Sequence, residues 1–155
     1  MENYFDEKLA EVINHASDIS SDENETSSWG YIAKALQPFN GIFRRNNITP
    51  DLVRQYRTFI DKNDDGENHL DWLNERNLNA DFFTLFPIAE LLLEKQLRSL
   101  EDMIVLLHLI FVHADSVLAC NITPELAEMF ELYSRTARQL IAILIETLNI
   151  RNSAN

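Results

Sequence analysis

The sequence predicts an all-α protein, a single-domain helical bundle of about six or seven helices. Apolar residues recur at intervals of three and four along most of the chain instead of alternating, which is the pattern of amphipathic helices. Only three glycines and four prolines interrupt the 155 residues, so long helices are expected. With 46% hydrophobic residues, a chain of this length can bury one continuous core.

The first two predicted helices carry regular apolar stripes. Residues 17–28 separate them and are rich in serine and acids, so a mobile loop is expected there. The second helix is expected to end near Gln37, because the residue before Pro38 is biased away from helical geometry. The two stripes consist of Phe5, Leu9, Val12, Ile13 and Ala16, and of Trp29, Ile32, Ala33 and Leu36.

Two later helices have similar start signals, Thr49-Pro50-Asp51 and Thr123-Pro124-Glu125, each with a hydroxyl at the N-cap and a proline at the first helical position. The hexapeptides 47–52 and 121–126 resemble each other, which leaves open either two pseudo-repeated helical hairpins or independent use of the same cap. A frayed tail is expected at residues 151–155. Two buried faces are predicted, one of Leu52, Val53, Tyr56, Phe59 and Ile60, and one of Leu126, Met129, Phe130, Tyr133, Ala137, Leu140, Ile141, Leu144 and Leu148.

The middle of the chain should supply the centre of the core. A short helix is predicted through Leu70 and Leu73, and Pro87 is predicted to open the next one. Ser99, with acids in the following turn, should cap the very apolar helix 103–118. Its most apolar run, 103–112, is far shorter than the ~20 residues that a bilayer-spanning helix needs.

The formal net charge of -12 is unevenly distributed along the chain. Residues 1–28 hold eight acids against Lys8 alone, and residues 59–81 hold seven against Lys62 and Arg76. Such a surface repels phosphate backbones and anionic lipids, which argues against direct binding of nucleic acid or membranes and favours a basic protein partner. The alternative is a surface that only keeps the protein soluble. A basic stretch separates the two acidic regions and contains Lys34, Arg44, Arg45, Arg54 and Arg57.

We expect the two acidic regions to form the partner-binding surface, with aromatic side chains as anchors. Tyr4, Phe5, Trp29 and Trp72 are the candidate anchors. The predicted partner-binding residues are Glu2, Asp6, Glu7, Glu11, Asp22, Glu23, Glu25, Asp61, Asp64, Asp65, Glu67, Asp71, Trp72 and Glu75.

Asp61, Asn63, Asp65 and Gly66 match the first half of a calcium-binding EF-hand loop. The second half does not match, because Trp72 stands where a bidentate glutamate should complete the calcium shell. Asp61, Asn63 and Asp65 are therefore weak metal candidates, and an acidic turn between two helices is the preferred interpretation. No cofactor is expected.

No catalytic constellation is evident. His113 and Asp115 suggest a local proton relay, but no nucleophile can be assigned to it, and His108 is too far along the helix to share a metal with His113. Cys120 is the single cysteine, which excludes an intrachain disulfide and indicates a reducing cytosol, and its thiol is expected to be inert in an apolar neighbourhood. Glu90, Glu94, Lys95 and Arg98 are expected to form weak ion pairs on a solvated helix.

The sequence therefore favours a small acidic cytosolic protein-binding module without enzymatic activity. Our leading hypothesis is an inhibitor or immunity (antitoxin) protein that masks the basic active site of a nuclease-type toxin or effector. The alternatives are a calcium- or metal-responsive helical protein that uses loop 61–72, and a regulatory or scaffold subunit. A hydrolase based on His113 and Asp115 is the last alternative. The oligomeric state is left open.

Overall fold

In the computed structural model, the described residues are 3–20, 28–62 and 68–153. They form helices and no strand, so the all-α prediction is confirmed. Seven helices have seven residues or more, and one further helix is a single turn. The elements are α1 (Tyr4–Ser20), α2 (Ser28–Leu36), a 3-10 turn (Gln37–Phe39), α3 (Ile42–Arg45), α4 (Pro50–Lys62), α5 (His69–Glu75), α6 (Phe82–Glu94), α7 (Leu100–Leu118) and α8 (Pro124–Ser153).

The central helix of the bundle is α7. It packs most extensively against α8 and also against α6. Burial of a leucine or methionine side chain contributes about 1.5–3 kcal/mol, so the inward face of α7 is a main source of hydrophobic stabilisation. This face consists of Leu100, Met103, Leu106, Leu107, Ile110, His113, Ala114 and Val117.

The apolar stripes predicted for α1 and α2 are the buried faces of both helices. The two helices pack against each other, and α2 also contacts α8. Helix α1 continues through Ser20, so residues 17–20, which we expected in the loop, are helical. Ile19 packs against the core there, and the Ser20 hydroxyl donates to the Ser17 carbonyl at 2.9 Å. Residues 21–27 of the expected loop lie outside the described residues.

Aromatic packing joins α4, α5 and α6. The ring of Tyr56 on α4 lies 4.9 Å from Trp72 on α5, and 5.1 Å from Phe82 and 4.9 Å from Phe86 on α6, measured between ring centroids. Its hydroxyl oxygen lies 2.9 Å from Nδ1 of His69. Burial raises the pKa of Tyr56 above its ordinary value. The buried phenol therefore stays neutral and connects three helices.

The expectation that Pro87 opens a helix is wrong, because Pro87 lies inside α6, which begins at Phe82. Proline removes one backbone donor and usually costs about 3 kcal/mol inside a helix. The turn that precedes Pro87 compensates by burying three large side chains, Phe82, Leu85 and Phe86. Tertiary packing outweighs the local preference at this position.

The predicted cap of α7 is confirmed. The Ser99 hydroxyl accepts a hydrogen bond from the Asp102 backbone N–H at 3.1 Å, and the Asp102 carboxylate accepts one from the Ser99 N–H at 3.1 Å. Burial alone would raise the pKa of Asp102. Hydrogen bonds from Lys95 and from the backbone N–H groups of Arg98 and Ser99 outweigh that effect and lower the pKa to about 2.

The two similar start signals form similar caps. Thr49 Oγ1 accepts from the Leu52 N–H at 3.2 Å, and Thr123 Oγ1 accepts from the Leu126 N–H at 3.3 Å. The helices they start differ in length, 13 residues for α4 and 30 for α8. Leu126 and Met129, predicted to face inward, are exposed, because the first turns of α8 lie at the edge of the bundle. Residues 151–153 of the expected frayed tail are helical.

His113 is a polar residue buried in the packing of α7. Its Nδ1 lies 2.7 Å from Oγ1 of Thr84 on α6, and its ring makes an edge contact with Phe130 on α8. Burial lowers the pKa of His113 below its ordinary value, and the nearby charge of Asp81 offsets part of that effect. The imidazole is therefore held in its neutral form.

We expect His113 to make folding stability depend on pH. The unfolded chain binds a proton at this imidazole at higher pH than the folded chain does, so the free energy of unfolding falls as the pH drops below about 6.5. His113→Asn should remove this contribution of His113 to the fall in the free energy of unfolding at low pH. Urea denaturation at about pH 7.5 and about pH 5.5 measures it. The exposed His108 on the same helix supplies the control, and His108→Asn should lose as much stability between the two pH values as the wild type does. An equal reduction of the pH dependence in both variants would contradict the assignment.

Candidate functional site

Two acids that we predicted to bind a partner, Glu7 and Glu11, lie on the outer face of α1 together with Asp18, which was not among the predicted residues. Glu7, Glu11 and Asp18 are exposed, and their spacing of four and seven residues places them along one line of the helix surface. Lys8 lies beside this line, 3.6 Å from Glu11 and 5.5 Å from the ring of Tyr4. The three acids therefore mark an acidic strip about 16 Å long on the outer face of α1, counted from Glu7 to Asp18, with the exposed Asn14 between Glu11 and Asp18.

Asp6, which we also predicted to bind a partner, has a structural role. Its carboxylate accepts hydrogen bonds from the backbone N–H groups of Phe43 at 3.2 Å and Arg44 at 2.9 Å. These groups begin the single-turn helix α3, which follows Gly41 at a φ of 88°, a conformation that favours glycine. Asn3 adds a second connection, since its side-chain amide donates to the Ile48 carbonyl at 2.7 Å. Asp6 and Asn3 together hold residues 41–48 against α1.

The expected aromatic anchors are mostly core residues. Phe5, Trp29 and Trp72 are buried, with Trp72 only 6% exposed. The guanidinium of Arg76 covers the Trp72 ring at 3.9 Å from its centroid. Of the four candidates, Tyr4 is the one that is exposed, at 40%. Trp72 therefore has no free surface with which to anchor a partner.

The second acidic region is described only in part. Asp61, at the end of α4, is exposed and lies 3.5 Å from Arg57. Asp71 and Glu75 are exposed on one face of α5. The remaining predicted partner-binding residues of both regions lie outside the described residues, namely Glu2, Asp22, Glu23, Glu25, Asp64, Asp65 and Glu67.

The calcium hypothesis stays a prediction. Two of its three candidate ligands, Asn63 and Asp65, lie outside the described residues. Across residues 3–20, 28–62 and 68–153, no group of three or more histidine, cysteine, aspartate or glutamate side chains is arranged to hold a metal ion. Within the same ranges, no helix combines the length and the apolar character needed to cross a membrane.

The proposed relay between His113 and Asp115 is wrong. His113 pairs with Thr84, whereas Asp115 accepts a hydrogen bond from the Ser134 hydroxyl at 2.6 Å and pairs with Arg138. The two side chains leave α7 in different directions because they are two residues apart. Cys120 is exposed, contrary to our expectation of an apolar neighbourhood, and its thiol donates to the Ser116 carbonyl.

The ion pairs of Glu90 and Lys95 join different elements instead of lying along α6. Arg57 on α4 reaches Glu90 on α6, with Nε donating to Oε2 at 2.7 Å, and this pairing raises the pKa of Arg57. Lys95 pairs with Asp102 at 2.6 Å, at the start of α7. The weak pairs that we expected within the sequence 90–98 are therefore replaced by contacts that cross between elements.

Sequence analysis missed an apolar groove between α2 and α8. The groove encloses about 560 Å³. Three large side chains that line it are exposed to solvent, Tyr31 at 55%, Leu132 at 52% and Ile143 at 45%. Lys34 is the single charged residue among the described residues that line it. A partial sequence signal was present, since the lining residues Leu132, Thr136, Leu140 and Ile143 recur on α8 at intervals of three and four.

Comparison of the chain with protein-family models, with curated proteins and with solved structures finds no match. The functional interpretation therefore rests on the two surfaces that the structure describes. These are the acidic strip of α1, defined by Glu7, Glu11 and Asp18, and the apolar groove between α2 and α8.

Replacing Asp6 should test its assignment as a structural residue. Asp6→Ala removes the acceptor of two backbone N–H groups, so we expect the free energy of unfolding to fall by about 1 kcal/mol. Glu11→Ala is the matched control on the same helix, because an exposed ion pair contributes roughly 0–1 kcal/mol. Urea denaturation of the two variants measures the difference. Equal stabilities would show that the carboxylate of Asp6 does not hold α3.

Proposed function

We propose that this protein is a binding module for a basic protein partner. We further propose that it acts as an inhibitor of the immunity (antitoxin) type, covering the cationic surface of a nuclease-type toxin or a similar effector. The acidic strip of α1 is the observation that best supports this proposal. Its three carboxylates are held on a rigid helix whose opposite face is fully packed into the core.

Charge complementarity gives such a strip its function. Enzymes that act on RNA or DNA bind phosphates through cationic surfaces, and a row of carboxylates can occupy the same positions. Opposite charge also speeds the encounter of two proteins, most strongly at low ionic strength. The exposed ring of Tyr4, at one end of the strip, offers apolar contact area beside the charges.

The rest of the chain is consistent with a binding role in a reducing compartment, which we propose to be the cytosol. Asp71 and Glu75 on α5 present further exposed carboxylates.

Charge reversal on α1 should weaken partner binding. The triple variant Glu7→Lys, Glu11→Lys, Asp18→Lys is expected to raise the Kd for the partner by at least about tenfold, with a steep dependence on salt. The partner is first captured from the native organism's lysate at low and moderate salt, identified by mass spectrometry and purified. Titration then gives the Kd, and the partner's own activity reports inhibition.

The control changes the net charge by the same amount elsewhere. Glu94, Glu128 and Glu131 are exposed acids on α6 and α8, away from the strip, and their triple replacement by lysine should affect the Kd much less. If both triple variants bind equally weakly, net charge alone governs binding and the α1 strip is not the binding surface. Thermal melts confirm that both variants are folded.

A further inference from the structure

We propose that the outer face of α8 is a self-association surface, on which a second copy of this chain packs its own α8 in antiparallel orientation. The acidic strip of α1 is not part of this face, so the inference is independent of the proposed function. It rests on the exposed apolar residues of α8, on the charges beside them and on the groove between α2 and α8.

An exposed apolar stripe runs along α8. Met129, Leu132, Ile143 and Ile150 are all more than 40% exposed, and Thr136 lies between them. Their spacings of three, four and seven residues match the repeat by which two helices pack along a common seam. The stripe extends over about 32 Å, which corresponds to three heptads. Three of its members, Leu132, Thr136 and Ile143, also line the groove beside α2.

The charges beside the stripe suit a second copy. Arg135 and Glu146 lie on the same side of it. Both are exposed, and neither forms an ion pair within the described residues. They have opposite signs, and they lie on either side of the midpoint of the stripe, Arg135 at about 7 Å and Glu146 at about 10 Å from it. Two copies can therefore satisfy both charges at once, with two equivalent pairs related by the twofold axis.

The geometry selects the antiparallel arrangement. With the twofold axis between Gln139 and Leu140, Met129 of one copy lies opposite Ile150 of the other, and Thr136 lies opposite Ile143. Arg135 then lies near Glu146 of the other copy. A parallel arrangement would instead place the two Arg135 side chains beside each other and the two Glu146 side chains beside each other. These like charges would repel.

The distribution of charge over the chain also favours self-association through this face. The protein carries -12 in total, and two copies repel through most of their surface. Between Met129 and Ile150, however, α8 holds two arginines, Arg135 and Arg138, against two acids, Glu131 and Glu146. Lys34 borders the groove. The stretch that we propose to be buried thus carries no net charge.

Sedimentation analysis of the full chain over about 1 µM to about 1 mM tests the proposal. We expect a monomer–dimer equilibrium that Ile143→Glu abolishes. Ile145→Glu is the matched control, because Ile145 is equally exposed at 45% but lies on the opposite side of the helix. A monomeric wild type throughout the range would overturn the proposal. So would a dimer that neither substitution, or only Ile145→Glu, disrupts.

Exchanging the two charges tests whether the partner on this face is a second copy, and it leaves the apolar residues of the stripe unchanged. Arg135→Glu and Glu146→Arg should each raise the dimer Kd by about tenfold. The double variant should restore the wild-type Kd, since it re-forms both pairs with reversed signs. Additive weakening in the double variant would overturn the antiparallel pairing. This comparison decides the matter even if Ile143→Glu fails to fold.

Disulfide crosslinking tests the position of the axis. In a Cys120→Ser background, the cysteine of Gln139→Cys lies next to the equivalent cysteine of the second copy. It should therefore form a disulfide-linked dimer under mild oxidation. In the antiparallel arrangement, the cysteine of Ile150→Cys lies far from the equivalent cysteine of the second copy and should stay unlinked. Efficient crosslinking through Ile150→Cys, or none through Gln139→Cys, would overturn the proposed geometry.

Discussion

The burial of α7 is the constraint on which the rest of the bundle depends. Eight of its 19 residues are buried, against α6 on one side and α8 on the other. Helix α8 follows α7 along this surface and is fastened to it by Asp115, which binds both Ser134 and Arg138. Yet α8 buries only four of its own 30 residues. Most of its circumference therefore faces away from the core. The apolar residues there can be shielded from water only by contact with another surface.

Neighbouring acids of α1 have different roles because the helix turns by about 100° per residue. Asp6 points toward the loop that it caps, whereas Glu7, one residue later, is exposed. A carboxylate that accepts two backbone hydrogen bonds cannot also pair with a partner's cations without releasing the loop. The charge count of the first 28 residues therefore overstates the surface available for binding. The exposed acids of α1 in that region are Glu7, Glu11 and Asp18.

Local signals in the sequence were sufficient to predict most of the helices, though not all of their ends. The stripes of α1 and α2 and the caps at Ser99, Thr49 and Thr123 depend on residues within a few positions of one another, so periodicity and cap chemistry identify them. The helical position of Pro87 depends on packing by Phe82 and Phe86, and the partners of Asp115 lie on another helix. The groove between α2 and α8 likewise joins residues about 100 positions apart. Such features follow from tertiary contacts, which a single sequence does not display.

The acidic strip of α1 and the apolar stripe of α8 should respond to salt in opposite ways. Binding of a basic partner to carboxylates weakens as salt screens the attraction. Two copies with a net charge of -12 each repel at long range, so the same screening favours their approach, while the apolar contact is insensitive to it. Two short-range ion pairs between Arg135 and Glu146 oppose this trend only weakly. Self-association that strengthens with salt, beside partner binding that weakens, would therefore assign the two events to different faces of the molecule.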